Sequence, residues 1–75
     1  MAYLSDLEPK SRVRVEKVLG DSPVKRRIMD MGITKGTEIY IRKFAPLGDP
    51  IQINLRGYEL SIRKEDAKNI RVEEI

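Results

Sequence analysis

The stretch Pro50-Ile51-Gln52-Ile53-Asn54-Leu55-Arg56 alternates apolar and polar side chains without interruption. Successive side chains of a β-strand point to opposite faces, so the pattern predicts a half-buried strand with Ile51, Ile53 and Leu55 facing inward. Gly57 ends the run, because an isolated glycine at such a point commonly marks a turn or a bulge. The stretch therefore predicts one strand of an antiparallel sheet.

Shorter segments of the same kind lie on both sides of this strand. They are residues 12–16, 37–44, 60–62 and 70–72. The first alternation slips at Val18-Leu19, just before Gly20, which indicates a bulge or bend. A polar segment before the last strand predicts a helical turn near residues 64–68. About five short antiparallel strands with frequent turn signals predict an all-β fold, a small barrel.

Two of the strands are expected to form a hairpin whose register can be argued from the side chains. Pairing Ile41 with Leu55 keeps both apolar faces on one side of the sheet and places Ala45 opposite Ile51. Residues 46–50 are then left as the connection. Without a bulge, a connection shorter by one residue would point one strand's isoleucines outward.

One segment carries a helix signal. Ser22 is a favourable N-cap, and Pro23 suits the first helical position because its missing N–H has no partner there. The apolar residues repeat at helical spacing: Val24, Ile28 and Met31. Gly32 follows as a residue that can end a helix with positive φ. The sequence predicts one short α-helix over about residues 23–31.

Composition excludes several classes of function. The chain has 75 residues, a formal charge of +3, no Cys and no His. It therefore lacks thiolate nucleophiles, disulfides and the imidazole that serves as base and metal ligand near neutral pH. Its carboxylates, Asp49 and the adjacent pair Glu65-Asp66 among them, are interpreted as solvated surface charge. We expect a single domain over residues 1–75 that is not an enzyme and has no membrane span of its own.

Two surface features stand out as candidate contacts. Arg26 and Arg27 lie on the polar side of the predicted helix, beside Lys25. The second feature is the loop Pro46-Leu47-Gly48-Asp49-Pro50, in which two prolines restrict the backbone and Leu47 is an apolar residue at a position where exposure is expected. The loop is equally interpretable as a rigid hairpin turn with Leu47 tucked under it.

Four segments, in register along nearly the whole chain, resemble the FeoA family of bacterial proteins. Residues 26–39 are similar to its Arg-Leu-x-(Asp/Glu)-(Leu/Met)-Gly segment, and residues 45–51 to its Ala-Pro-Leu-Gly-Asp-Pro stretch. Residues 60–72 and 4–7 resemble its closing and opening motifs. One departure is that Lys10 or Ser11 stands where the family commonly has Gly, so the entry turn is expected to differ.

The resemblance implies an SH3-like barrel that serves ferrous iron uptake as a cytoplasmic accessory to FeoB, a membrane transporter with a cytosolic G-protein domain. Protein–protein contact would recruit it to the inner face of the membrane. We expect the contacts to be Arg26, Arg27, Pro46, Leu47, Gly48, Asp49 and Pro50. Members of the family are often described as binding transition metals, but no cofactor is expected here. Any binding of Fe²⁺ would be weak, through ligands that the sequence does not identify.

Two alternatives belong to other classes of function. Arg26 or Arg27 as an arginine finger would make the protein an activator of GTP hydrolysis by its partner. The runner-up is a small basic barrel that binds RNA or DNA, since 15 Lys and Arg residues outnumber 12 Asp and Glu. Aromatic residues are only 5% of the chain, too few for a base-stacking platform, so nucleic acid is the less favoured partner.

Overall fold

The computed structural model describes residues 2–75. Six strands form one antiparallel sheet: β1 (Ala2–Tyr3), β2 (Arg12–Val18), β3 (Glu38–Phe44), β4 (Ile51–Leu55), β5 (Tyr58–Ile62) and β6 (Ile70–Glu74). The helical elements are a 3₁₀ turn (Leu4–Asp6), α1 (Ser22–Asp30) and the single-turn α2 (Lys64–Ala67). Within these residues no helix is both long and apolar enough to cross a membrane.

The sheet wraps around one core. Its strand order is β1-β6-β2-β3-β4-β5, and the fully buried side chains come from five strands, the 3₁₀ turn, both helices and, at Ile33, the connection between α1 and β3. Ile51, Ile53 and Leu55 all face this core, as the alternation predicted. Most of the remaining buried residues are Ile or Val, whose branched side chains suit a pleated surface. The prediction of an all-β fold is confirmed.

The helix begins one residue earlier than predicted, because its cap is Asp21 and not Ser22. The Asp21 carboxylate accepts a hydrogen bond from the Val24 backbone N–H at 3.0 Å. Ser22 therefore lies inside α1, with Pro23 at its second position, where the missing N–H is still harmless. Gly32 follows the helix with φ +90°, as its position after the apolar stripe predicted.

The predicted register of the β3–β4 hairpin is wrong by two positions at Ile41 and by one at Ile51. Ile41 pairs with Ile53, not with Leu55, and Ile51 pairs with Phe44, not with Ala45. The register shifts between Ile41 and Lys43, so one extra residue of β3 is accommodated as a bulge. The bulge keeps the isoleucines of both strands facing the core with a longer connection than the sequence indicated.

The N-terminal segment, where no strand was predicted, contributes to sheet and core. β1 pairs with β6, and Leu4 in the 3₁₀ turn is fully buried. A strand of two residues is too short to show an alternating pattern, so it could not be predicted from hydrophobic periodicity.

The turn before β2 holds Lys10 in the left-handed region, at φ 73°. Its backbone N–H donates to the Ile41 carbonyl at 2.6 Å, which fixes the turn against β3. This conformation costs a residue with a side chain about 1–2 kcal/mol, whereas glycine costs about 0.5–1 kcal/mol in chain entropy. We expect Lys10→Gly to raise the free energy of unfolding by about 0.5 kcal/mol in urea denaturation. Lys10→Ala keeps the Cβ and should give no gain; an equal gain in both variants would contradict the explanation.

Candidate functional site

The loop of residues 46–50, called here the proline loop, is a braced turn that carries an apolar tip. The Gly48 N–H donates to the Ala45 carbonyl at 2.7 Å, and the Ala45 N–H donates to the Pro50 carbonyl at 3.0 Å. Leu47 lies at the tip with 95% of its surface exposed. The alternative in which Leu47 tucks under the turn is therefore wrong. The loop therefore presents one apolar side chain to solvent.

The second candidate surface is the outer side of α1, where Arg27 is fixed by an ion pair. Its Nη2 lies 2.6 Å from Oδ1 of Asp66 in α2, and its Nε lies 3.3 Å from Oδ2. This hydrogen bond, together with the charge of Asp66, raises the pKa of Arg27. The Asp66 side chain is only 6% exposed, so its interpretation as solvated surface charge is wrong. Arg27 itself is 56% exposed and still faces solvent.

The proline loop and α1 both attach to α2. The Asp49 carboxylate accepts a hydrogen bond from the Lys64 N–H, the first of α2, at 3.0 Å. Asp49 thus acts as an N-cap supplied from a distant loop, and it remains an exposed surface carboxylate, as predicted. Arg27 binds Asp66, which lies two residues after Lys64 in α2. This single helical turn therefore binds one residue from each candidate segment. Pro46, Leu47, Gly48 and Pro50 make no side-chain hydrogen bond to α1 or α2 in the described part of the chain.

Removing the Asp49 cap should loosen α2. We expect Asp49→Ala to lower the free energy of unfolding by about 1 kcal/mol, the usual cost of losing a side-chain cap. Asp49→Asn keeps an acceptor oxygen and is the matched control, with an expected loss of less than about 0.5 kcal/mol. Urea denaturation followed by circular dichroism measures both variants. An equal loss in the two would show that the negative charge, and not the cap, is what matters.

Two grooves run beside α1 and share Arg27 and Met31. The first, of about 730 Å³, is lined by Ser22, Pro23, Arg26, Arg27, Asp30 and Met31. The second, of about 400 Å³, separates α1 from β5 and is lined by Arg27, Met31, Ser61, Ile62, Arg63 and Asp66. Arg26 therefore lies at the rim of an open groove, whereas the proline loop lines neither of the two. The candidate residues therefore do not line a common pocket.

Some of the unpaired positive charge lies on the helical side of the molecule. On the strands, acidic residues neutralise several arginines: Arg14 pairs with Glu38 and Glu73, Arg42 with Glu59, and Arg71 with Glu16. Lys25, Arg26 and Arg63 take part in no ion pair among residues 2–75. Each of the two grooves is therefore lined by one cation without an ion-pair partner in this part of the chain, Arg26 in the first and Arg63 in the second.

Asp66 holds Arg27 in place but was not predicted as a residue of the site. Its burial has no periodic signal, because α2 is only four residues long and Ile70 already belongs to β6. Ala67 beside it is also buried. The identity of its partner has no local signal, since Arg27 lies 39 residues away along the chain.

The donor atoms available do not fit a transition-metal site. The sequence has neither His nor Cys, the ligands that zinc prefers. Within residues 2–75, no three acidic side chains lie close enough together to share an ion. No step of the function proposed below therefore passes through a metal held by this chain.

Comparisons with known proteins agree on one family. The sequence profile described as the FeoA domain matches residues 3–74. A fusion of Fe(2+) transport protein A with the Fe(2+) transporter FeoB, from Porphyromonas gingivalis, is 36% identical over 70 residues. That match covers 93% of this chain but only 8% of the fusion protein.

Solved structures match over the same range. The FeoA-like protein of Clostridium acetobutylicum superposes with a TM-score of 0.91 at 52% identity, covering 100% of this chain and 91% of its own. Stenotrophomonas maltophilia FeoA, solved with zinc and described as a procaryotic SH3 domain protein, superposes with a TM-score of 0.82 at 25% identity. That match covers 97% of this chain and 91% of the other. The prediction of an SH3-like fold is confirmed.

Proposed function

The chain belongs to the FeoA family, which is linked to ferrous iron transport, and we propose that it acts there as a non-catalytic accessory protein that docks on FeoB. The observation that carries the proposal is the fusion in which a segment similar to this chain and FeoB share one polypeptide. A tether keeps two segments at high effective concentration. Contact between the two also needs a surface that supplies affinity.

The proline loop and the α1 groove are that surface in our proposal. Leu47 offers an exposed apolar contact, and Arg26 and Arg27 offer charge beside an open groove. Transient regulatory contacts often bury less than about 1,200 Å² in total, which a domain of this size can supply. The partner face is the cytosolic part of FeoB, so the protein would act in the cytoplasm and be recruited to the membrane.

Calorimetric titration of the chain with the cytosolic region of FeoB from the same organism tests the proposal. We expect a saturable complex with one chain per FeoB. Absence of binding at concentrations of several hundred micromolar would overturn it, since that is weaker than about 5 kcal/mol of association free energy.

The same sample measures GTP turnover, and there we expect no change on saturation. Arg27 is an unsuitable arginine finger because its guanidinium is already engaged by Asp66. Activation by about a thousandfold that is lost in Arg26→Ala would instead favour the arginine-finger alternative.

A further inference from the structure

β5 forms one end of the sheet and has an open edge. It pairs only with β4, through a two-residue turn, Arg56-Gly57, in which both residues have positive φ. The residues that flank such a turn, Leu55 and Tyr58, exchange backbone hydrogen bonds with each other. Alternate residues of β5 therefore direct their N–H and C=O groups away from β4. These residues are Glu59 and Ser61.

The edge lacks the usual protection against a further strand. Proteins commonly block edge strands with proline, bulges or outward charges. β5 has no proline, and its pairing with β4 is continuous from Tyr58 to Ile62. Its one charged side chain, Glu59, is engaged by Arg42 of β3. The backbone groups of Glu59 and Ser61 take part in no turn or loop hydrogen bond among the described residues.

The groove between β5 and α1 runs beside this edge. Met31 and Ile62 give it an apolar floor, and Arg27 and Arg63 stand at its rim. The hydroxyl of Tyr58 donates to the Met31 carbonyl at 3.4 Å, which holds the end of α1 alongside β5. A volume of about 400 Å³ is enough for one or two side chains of an inserted segment.

We propose that β5 receives an extended acidic segment of a partner protein as an additional strand. The segment's backbone pairs with Glu59 and Ser61, one apolar side chain enters the groove over Met31, and its carboxylates face Arg63. An acidic segment is favoured because Arg63 has no ion-pair partner among residues 2–75 and its positive charge can pair with the segment's carboxylates. The inference deepens the proposed docking function and rests on it for the identity of the partner.

The test uses a fluorescein-labelled peptide of alternating Glu and Val, long enough to span β5, and the ¹⁵N-labelled full chain. We expect saturable binding that weakens with added salt, and amide exchange at Glu59 and Ser61 that slows at least about tenfold. A Lys-Val peptide of the same length should not bind. Equal binding of the two peptides, no binding of either, or binding without slowed exchange at these amides would each overturn the proposal.

Two substitutions at one position separate backbone pairing from side-chain contact. Ser61→Pro removes the outward N–H without touching the ladder to β4, so peptide affinity should fall at least about tenfold. Ser61→Ala keeps the N–H and should bind as the unchanged protein does. If Ser61→Pro does not fold, the Glu-Val peptide methylated on its backbone nitrogens replaces it, and its unimpaired binding would overturn the proposal.

Titration with the cytosolic region of FeoB distinguishes the two proposals. Equal FeoB binding by Ser61→Pro and the unchanged chain would overturn strand addition and leave the docking function standing. Peptide capture by β5 together with no binding of FeoB would support strand addition and overturn the docking function.

Discussion

Ile28→Ala is expected to unfold a large fraction of the protein at room temperature. Ile28 is the only residue of α1 that is fully buried, and it belongs to the same core as the isoleucines of the strands. Truncating a buried isoleucine to alanine costs about 2–5 kcal/mol, because the transfer free energy is lost and a cavity remains. A core in a domain below about 80 residues supplies only about 3–5 kcal/mol in total. The two quantities are comparable, so one substitution removes most of the stability.

Thermal unfolding by circular dichroism and the dispersion of the amide NMR spectrum measure this loss. Met29→Ala is the matched control: it lies on the same helix but is 45% exposed, so it should change stability by less than about 0.5 kcal/mol. If Ile28→Ala instead kept the dispersed signals of the strands and lost only those of α1, the helix would be an independent attachment to the barrel. The single contiguous core argues against that outcome.

The strands and the helix were predictable because their signals are local. An inward-facing set such as Ile51, Ile53 and Leu55 is specified by alternation alone. The end of α1 was equally accessible, since Gly32 provides a positive φ where the apolar stripe stops. The start was ambiguous, because Asp21 and Ser22 are both good caps and Pro23 is acceptable at either of the first two helical positions.

The hairpin register could not be obtained from the same pattern. Ile41 opposite Leu55 and Ile41 opposite Ile53 both keep apolar side chains inward, because the two alternatives differ by two residues and the side-chain period is also two. The bulge after Ile41 decides between them. A bulge depends on how the strand bends over the core, and that is a tertiary property.

The connections of the candidate site were less predictable than its members. Arg27 and Asp49 were both chosen as site residues from the sequence. The helical turn that binds them was predicted, but it was not assigned to the site. Lys64 offers a backbone N–H, which has no side-chain signature, and Asp66 is close to Arg27 only after the chain has folded. Charge composition cannot distinguish a solvated carboxylate from one that an arginine holds in a nearly buried position.

Leu47→Asp is expected to weaken binding to the cytosolic region of FeoB by about tenfold to a hundredfold while leaving the fold unchanged. Burying a leucine side chain contributes about 1.5–3 kcal/mol, and each 1.4 kcal/mol is about a factor of ten in affinity. The stability of the isolated chain should change by less than about 0.5 kcal/mol, because Leu47 is 95% exposed and no contact is lost. Calorimetry gives the affinity, and urea denaturation confirms the fold.

Two further variants at this position identify the cause of the loss. Leu47→Met conserves apolar surface and should bind within about threefold of the unchanged chain, since volume-conserving apolar exchanges usually cost little. Leu47→Asn removes apolar surface without adding charge and should weaken binding nearly as much as Leu47→Asp. Full affinity in Leu47→Asn but not in Leu47→Asp would mean that the added charge is repelled and that the leucine itself makes no contact. Equal affinity in all three variants would remove the proline loop from the interface and leave docking to the arginine-lined grooves of α1.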